Sequence, residues 1–464
     1  MVKIFSHYVS KLVSALLLLE LFVLIASMYG AQAFMFSQGW TPFPKPDAFF
    51  SSASGFALAM ALSMAALGLY HIEGSPAPSA IAAKLLPASV LGFGISALLL
   101  SISPQLYVAP QVVGLAALAS AGAILGIRLL VFRTFSLPIL ESRVIFLGEG
   151  ALARECSRLA ASAAFPKKYH IVGFVQLRTE ECQVASSSLL PANESLVSIA
   201  RKYNVREIIV STQNQRGSSF PLHQLLECKL HGIKVTGAAA FFEREARQIR
   251  VDSLYPSWLI FGDGFNQSSW RTICKRAFDL VVSLLIFAMA LPVMLATSLC
   301  IFFEDRGPII YRQERVGKDG HTFHVLKFRS MCIDAERAGA PQWAAANDDR
   351  VTRVGRIIRK LRIDELPQVI NVLRGEMSFV GPRPERPFFV KQLCEKIPYY
   401  DMRHSIKPGI TGFAQVRYQY GASVEDTVQK LQYDLYYVKN HSLFLDLLIL
   451  VETLQVVLFA KGSR

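Results

Sequence analysis

The sequence predicts a membrane protein of mixed α plus α/β class. An N-terminal four-helix transmembrane bundle covers residues 1–134, a cytosolic α/β module 141–262, and a C-terminal domain 270–464 with a re-entrant membrane helix at about 278–303. Three observations predict it. The 464 residues are 52% hydrophobic with a mean hydropathy of +0.34, too apolar for an ordinary soluble enzyme and too long for one domain. Apolar runs of near membrane-spanning length crowd the first 134 residues. From Arg143 onward, short apolar runs alternate with helical patterns, as in a parallel sheet.

The net charge of +14 and the pI near 9.5 fit either nucleic acid or an anionic membrane surface. The hydrophobicity decides for the bilayer, so no nucleic-acid partner is expected. Seven cysteines, with no C-x-x-C pair, read as reduced thiols rather than a disulfide framework or a zinc site.

The four apolar runs lie at about 13–28, 54–70, 85–102 and 112–131. The first resembles a signal-peptide core, but further apolar runs follow at once instead of a soluble domain. Glu20 and Lys84 are the charges within or at the edge of a span, and either faces the bundle interior or snorkels. Lys3, Lys11, Lys84, Arg128, Arg133 and Arg143 flank the ends that would be cytoplasmic, while Lys45 is the only base in the first outer loop and the loop at 103–110 carries no charge. Both the N-terminus and everything after Arg133 are therefore expected in the cytosol.

Val144 to Leu147 predicts a buried strand, and Gly148-Glu149-Gly150-Ala151-Leu152-Ala153 turns it into a helix ending near Ala164. Further strands are predicted at 170–175, 207–211 and 234–237, with helices at 195–203 and 222–230. Gly148 and Gly150 fit a G-x-G-x-x-A turn that would cradle a pyrophosphate on the helix N-terminus. Gln176-Leu177-Arg178 stands where a ribose-binding acid belongs. A structural, dimerising or regulatory role for this Rossmann-like module therefore ranks above nucleotide binding, and a homodimer is a partner to expect.

A polar linker, Asp263 to Ser269, leads to Lys275, Arg276 and Asp279, and then to 24 uncharged residues, Leu280–Phe303. Length alone would make this a crossing. Pro292 in its middle removes a helical hydrogen bond and bends the helix. A bent hairpin that enters and leaves by the cytosolic leaflet keeps the following domain on that side, with Glu304, Asp305 and Arg306 at its exit.

Strands are predicted at 309–317 and 323–328, the second ending in Lys327-Phe328-Arg329. A helix at 351–361 has a basic face of Arg353, Arg356, Arg359 and Lys360 opposite Val354, Ile357, Ile358 and Leu361, suited to an anionic interface or simply to solvent. It delivers the chain to Asp364 and Glu365. Leu366, Val369, Ile370, Val372 and Leu373 have helical spacing, and Pro367 fits a first turn, so the two carboxylates are expected at a helix N-terminus. An acidic pair there can be a plain cap. Flanked by Arg362 and Arg383, an ionised Asp364 is also poised for phosphate chemistry. Residues 443–459 are apolar but interrupted by Asp446 and Glu452, as in a packed or interfacial helix.

These residues carry a family resemblance. Lys327-Phe328-Arg329-Ser330-Met331, Asp348-Asp349-Arg350-Val351-Thr352-Arg353-Val354-Gly355, Asp364-Glu365-Leu366-Pro367-Gln368, Asn371 through Glu385, Lys407-Pro408-Gly409-Ile410-Thr411-Gly412 and Asp434 through Asn440 resemble the bacterial sugar transferase family from about Arg271 to the C-terminus. Four spans and a Rossmann-like module in front are similar to its large, monotopic phosphoglycosyl transferases, and the C-terminal third looks closest to the exopolysaccharide, exosortase-associated type. Leu291-Pro292 departs from the more frequent Ser-Pro, and Phe413 from the usual Trp, which puts fine donor preference in doubt.

The resemblance implies a UDP-sugar donor, a polyprenyl (undecaprenyl) phosphate acceptor, and a site on the cytosolic face of the bacterial inner membrane. Asp364 would attack the sugar-bearing phosphate, release UMP and carry the phosphosugar as a covalent intermediate. The product would initiate exopolysaccharide repeat units. Asp364 and Glu365 would hold Mg²⁺. Lys327, Arg329, Arg362 and Arg383 would bind phosphate oxygens, with Gln415 and Asp434 as further substrate contacts. Two other readings compete. A nucleotide-sugar dehydratase or epimerase using NAD at Gly148–Gly150 would need a Tyr-x-x-x-Lys relay, which neither Tyr203 nor Tyr255 supplies. A scaffold or chain-length regulator of a polysaccharide assembly would tolerate loss of Asp364.

Overall fold

The computed structural model describes residues 2–4, 7–9, 11–42, 46–70, 78–102, 108–134, 141–161, 168–177, 181–185, 188–191, 194–212, 220–251, 269–332, 350–418 and 423–458. Lys45, Arg178, Tyr255, the linker 263–268 and the Asp348-Asp349 pair lie outside the described residues. Tyr8–Arg247 and Gln248–Arg464 form the bulk of two compact units.

After two paired three-residue strands, Val2–Ile4 and His7–Val9, come four helices of the first unit: α1 (Lys11–Ser37), α2 (Pro46–Ala66), α3 (Pro78–Ile102) and α4 (Pro110–Thr134). Three of them start on a proline, which needs no N–H partner there. All four are long and apolar enough to cross a membrane. Helix α2 packs on α3 and α1 on α4, burying Leu24, Met28, Phe56, Met60, Val112 and Ile124 between them. Leu18, Phe22, Val90, Leu118 and Leu130 point outward, as lipid-facing residues do. Of the two awkward charges, Lys84 is exposed and Glu20 is fully buried. Glu20 accepts from Arg128 Nε at 2.6 Å, from Arg128 Nη2 at 3.0 Å and from Tyr70 OH at 2.7 Å. Arg128 is thus an interior partner of the bundle, not the flanking charge that the loop pattern implies.

The same unit continues as an α/β module: β1 (Ser142–Leu147), α5 (Ala151–Ala161), β2 (Tyr169–Val175), α6 (Leu196–Lys202), β3 (Glu207–Val210), α7 (Leu222–Leu230), β4 (Lys234–Gly237) and α8 (Ala238–Glu245). The strands form one parallel sheet in the order β2-β1-β3-β4. Strand β1 is a continuous apolar run because both its faces are covered. Ile145 and Leu147 pack with Leu196, Ile199 and Leu225, whereas Val144 and Phe146 pack with Ala153, Cys156 and Phe241.

The second unit opens with α9 (Ser269–Asp305), a helix of 37 residues that includes Pro292. Then come the antiparallel hairpin β5 (Ile310–Val316) and β6 (Thr322–Phe328), α10 (Arg353–Lys360), a 3-10 turn (Ile363–Glu365), α11 (Gln368–Arg374), β7 (Ser378–Val380) and α12 (Pro387–Lys396). The chain closes with β8 (Gly409–Thr411), α13 (Phe413–Arg417), α14 (Val424–Asn440) and α15 (Leu443–Leu458). Strands β7 and β8 pair in parallel.

Both ends of α9 are tied into this unit. Near its start, Arg276 donates to Val372 O at 2.6 Å and to Leu373 O at 2.8 Å, while Asp279 accepts from Ser378 Oγ at 3.0 Å and from Phe379 N–H at 3.1 Å. At its end, Ile301 packs with Phe328 and Ile358, Glu304 accepts from Val354 N–H, and Asp305 pairs with Arg329. Between the anchors Leu284, Leu285, Met289, Leu295 and Leu299 are exposed. Helix α15 is a packed helix: Leu445 and Ile449 are buried, Asp446 takes Lys275, and Glu452 takes Arg417.

Candidate active site

The site is built where α10 stops. Arg362 adopts a left-handed backbone (φ 58°), unusual for a side chain with a Cβ, and it turns the chain into the 3-10 turn that carries Asp364 and Glu365. The carboxylates therefore precede α11 in a turn of their own at the helix N-terminus, with Pro367 at the N-cap and not in the first turn. Pro367 has no N–H to bond back to the carbonyls of the 3-10 turn, so it does not carry that turn's ladder into α11, and at a helix start the missing donor leaves no bond unmade.

Lys327, on β6, donates to Glu365 Oε1 at 3.1 Å. Arg383 Nη2 reaches the same oxygen at 3.4 Å, and Arg362 Nη1 lies 3.9 Å from Oε2. Although burial works against it, the Lys327 and Arg383 charges hold the Glu365 carboxyl down at about 2. Asp364 is different. Burial first, and then the Glu365 charge, push its carboxyl above the usual aspartate range, against the pull of Lys327, Arg359 and Arg362. Among the described residues no side chain donates a hydrogen bond to it. The sequence places the ionised, cation-ringed role on Asp364; the structure gives that role to Glu365, because the cations close on the longer side chain.

Two motifs hold the cations in place. Asn371 on α11 accepts Leu326 N–H at 3.0 Å and donates to His324 O at 2.8 Å, fastening β6 and its Lys327 beside the carboxylate turn. The Gly381-Pro382-Arg383 loop runs against Gly409 and Gly412 so closely that a Cβ on Gly381 or Gly409 would strike the other strand's backbone. That contact is what the Lys407-to-Gly412 segment supplies. On the loop's other flank, Arg315 Nη1 donates to Pro384 O at 2.9 Å and Arg403 Nη2 to Arg383 O at 3.1 Å.

Several predicted site residues lie elsewhere. Asp434 sits within α14, not at its start, since that helix begins ten residues earlier on a capping box of Ser423 and Asp426. Its carboxylate is buried and accepts from Arg403 Nη2 at 2.7 Å, so it reaches the site only through Arg403 and the Arg383 carbonyl. Arg329 is 7% exposed and pairs with Asp305 of α9, with Nε and Nη1 buried and unbonded. Gln415 lies on α13, where Oε1 is buried without a partner and Nε2 is 3.5 Å from Ile410 O. Phe413 is a buried core residue stacked on Tyr436.

In the α/β module, Gly148 has φ 127° and rests against Ser211, where a Cβ would lie 2.8 Å from the carbonyl oxygen. Glu149 is buried; its Oε2 accepts Leu177 N–H at 2.7 Å and its carbonyl accepts Gln183 N–H at 2.8 Å. The turn through Gly148 and Gly150 is thereby stapled to the exit of β2.

A family model described as bacterial sugar transferase matches residues 270–460, and so covers every element of the carboxylate site. The undecaprenyl-phosphate galactose phosphotransferase of Salmonella typhimurium is 40% identical over 353 residues, a match that covers 70% of each chain. The chain belongs to the bacterial sugar transferase family. A UDP-N-acetylgalactosamine-undecaprenyl-phosphate N-acetylgalactosaminephosphotransferase of Aeromonas hydrophila is 43% identical over 240 residues, spanning 52% of this chain and 56% of that protein. An undecaprenyl-phosphate glucose phosphotransferase of Komagataeibacter xylinus is 41% identical over 201 residues, spanning 42% of this chain and 38% of that one. The match thus covers about half or less of those two relatives' lengths.

Within this bacterial sugar transferase, sequence reasoning missed Arg403, Arg315, Asn371 and Arg359. Asn371 opens one of the family-resembling stretches and Arg359 lies on the basic helix face, but neither pattern gives them a role at the site, and each of the four acts by where the fold places it. The described residues hold no cluster of three or more His, Cys, Asp or Glu. A cation here would have the adjacent Asp364 and Glu365 as its charged donors, the latter already paired with Lys327 and Arg383; one or two carboxylates, completed by water and substrate phosphates, is a donor set of the kind Mg²⁺ takes.

Proposed function

We propose that this bacterial sugar transferase moves a hexose-1-phosphate from a UDP-sugar to undecaprenyl phosphate, on the cytosolic face of the inner membrane, and so initiates an exopolysaccharide repeat unit. One observation carries the reading. Of two neighbouring carboxylates, Glu365 is neutralised by Lys327 and Arg383, while Asp364 takes no side-chain hydrogen bond among the described residues and is more basic than an ordinary aspartate. The relatives' names supply the substrate class.

An Asp364 oxygen attacks the phosphorus that bears the sugar. The bond from that phosphorus to the bridging oxygen breaks, UMP leaves with the oxygen, and the phosphosugar stays on Asp364. A phosphate oxygen of undecaprenyl phosphate then attacks the same phosphorus and breaks the aspartyl bond. The carboxylate is restored and the product is an undecaprenyl-diphospho-sugar. A carboxylate meets a dianionic diphosphate only if cations screen the repulsion. Lys327, Arg362 and Arg383 come from three separate segments to do so. Mg²⁺ held by Asp364 and Glu365 would add charge neutralisation at the donor phosphates.

The two anchored ends of α9 support a hairpin that re-enters the cytosolic leaflet around Pro292. A straight helix would carry Asp279 and Asp305 about 39 Å apart, beyond a hydrocarbon core of roughly 30 Å. A crossing would also put the site on the side that lacks nucleotide-activated sugars. The α/β module is proposed as a structural or dimerising unit.

The test uses the full chain in detergent with Mg²⁺ and a panel of UDP-sugars. One donor is expected to release UMP in an amount equal to the enzyme without acceptor, and continuously once undecaprenyl phosphate is added. Asp364→Asn should abolish both phases. Undiminished UMP release by that variant would refute the mechanism.

A further inference from the structure

The second unit holds another cationic cavity, of ≈ 70 Å³, lined chiefly by Arg271, Lys275, Arg276, Asp279, Lys318 and Lys407. It is not the carboxylate site. Asp364 and Glu365 lie before the first residue of α11, whereas Arg276 binds the carbonyls at that helix's far end. Seven helical residues, about 10 Å of rise, separate the two ends.

The charge in this cavity is only partly spent inside the protein. Lys275 is matched by the buried Asp446 at 2.7 Å. Asp279, the single carboxylate of the lining, is occupied by Ser378 and Phe379. Arg276 faces carbonyls, and Lys318 has only the exposed Asp319 at 3.9 Å. Lys407 makes no hydrogen bond or ion pair among the described residues, yet its ammonium and Arg276 both lie 3.5 Å from the point where a Cβ on Gly375 would be. Burial, and then the charge of Arg276 with those of Lys318 and Lys275, push the Lys407 ammonium down from its ordinary range against the pull of Asp279. A cavity with this surplus is complemented by an anion.

Its place decides which anion. Arg271 to Asp279 occupy the turns of α9 immediately before the uncharged run Leu280–Phe303. Trp270 and Ile273 are exposed on those same turns, 71% and 59%, as residues at a membrane interface are. The cavity is therefore at phosphate depth when the helix is in the bilayer. We propose that it binds the phosphate of a bilayer lipid and seats one anionic head group where α9 enters the membrane. This inference rests on membrane insertion of α9 and not on the transfer chemistry.

The test is thermal unfolding of the full chain in neutral detergent, titrated with short-chain phosphatidylglycerol, short-chain phosphatidylcholine, short-chain polyprenyl phosphate and inorganic phosphate. Phosphatidylglycerol should raise the unfolding temperature, and the Lys318→Gln, Lys407→Gln double variant should need about tenfold more lipid or above for the same shift. Lys407→Arg should respond like the parent chain. Lys318→Gln alone, an exposed change that leaves the fold intact, should fall between. A response to polyprenyl phosphate with none to phosphatidylglycerol would support the lipid-phosphate site and assign it to the carrier. Equal shifts with phosphatidylcholine or inorganic phosphate, or a double variant and Lys318→Gln that both respond as the parent does, would overturn it. No turnover is read, so failure here leaves the carboxylate mechanism standing, and the reverse.

Discussion

Asp364 and Glu365 are neighbours in sequence whose surroundings push their acidities in opposite directions, and that divergence assigns them different work. Glu365 spends its charge on Lys327 and Arg383. In the proposed mechanism Asp364 reacts as a carboxylate, so activity should be present above its raised pKa and be lost as pH falls through it. Arg359 favours the charged form of Asp364. Arg359→Gln should therefore raise that pKa further and move the acid limb of kcat/KM to higher pH; a limb that stays put or moves lower contradicts this role for Arg359. The identity of the pair was legible in sequence, from the motif density around 364–385. Which of the two holds the cations was not, because Lys327 lies 38 positions away from Glu365 and only the β6–α11 contact brings it there.

At the scale of elements, the Arg383 loop is held in place by neighbours that touch no predicted substrate. Arg403 bonds the Arg383 carbonyl, Asp434 and Tyr400 OH with one planar fork. Asp434→Asn leaves Arg403 buried and unmatched and should cost roughly 3–5 kcal/mol of stability, read as a lower unfolding temperature. Arg403→Lys keeps the charge and loses the fork, so it should lower kcat more than it weakens donor binding; a KM effect alone would count against a positioning role. Helix α9 is the other element with a clear consequence. An epitope tag placed in the turn 318–320 should stay inaccessible to antibody added to spheroplasts and become accessible once they are lysed, and labelling of unlysed spheroplasts would show that α9 crosses.

For the molecule as a whole, the membrane bundle carries its own buried ion pair. Glu20 and Arg128 come from α1 and α4 and meet with 0% and 2% exposure, with Tyr70 completing the cluster. Breaking one side strands a charge in an apolar interior. Glu20→Leu or Arg128→Leu alone should sharply reduce the folded chain recovered from membranes, and the double variant should recover much of it, because apolar replacement of both partners is often neutral or stabilising. Equal losses in the single and double variants would show that the pair contributes nothing specific.

The sequence by itself determined the order of parts: four spans, a doubly wound parallel module, then a domain built around Asp364. Those features are local, since span length, strand alternation and motif spacing are written in neighbouring residues. Tertiary structure alone decided which charges meet. Arg128 left the flank for the bundle interior, Arg329 and Asp434 went to pairs away from the carboxylates, and Lys327 and Arg383 closed on Glu365. Ion pairing depends on distance in space, and the pairs that matter here join residues tens of positions apart in the chain.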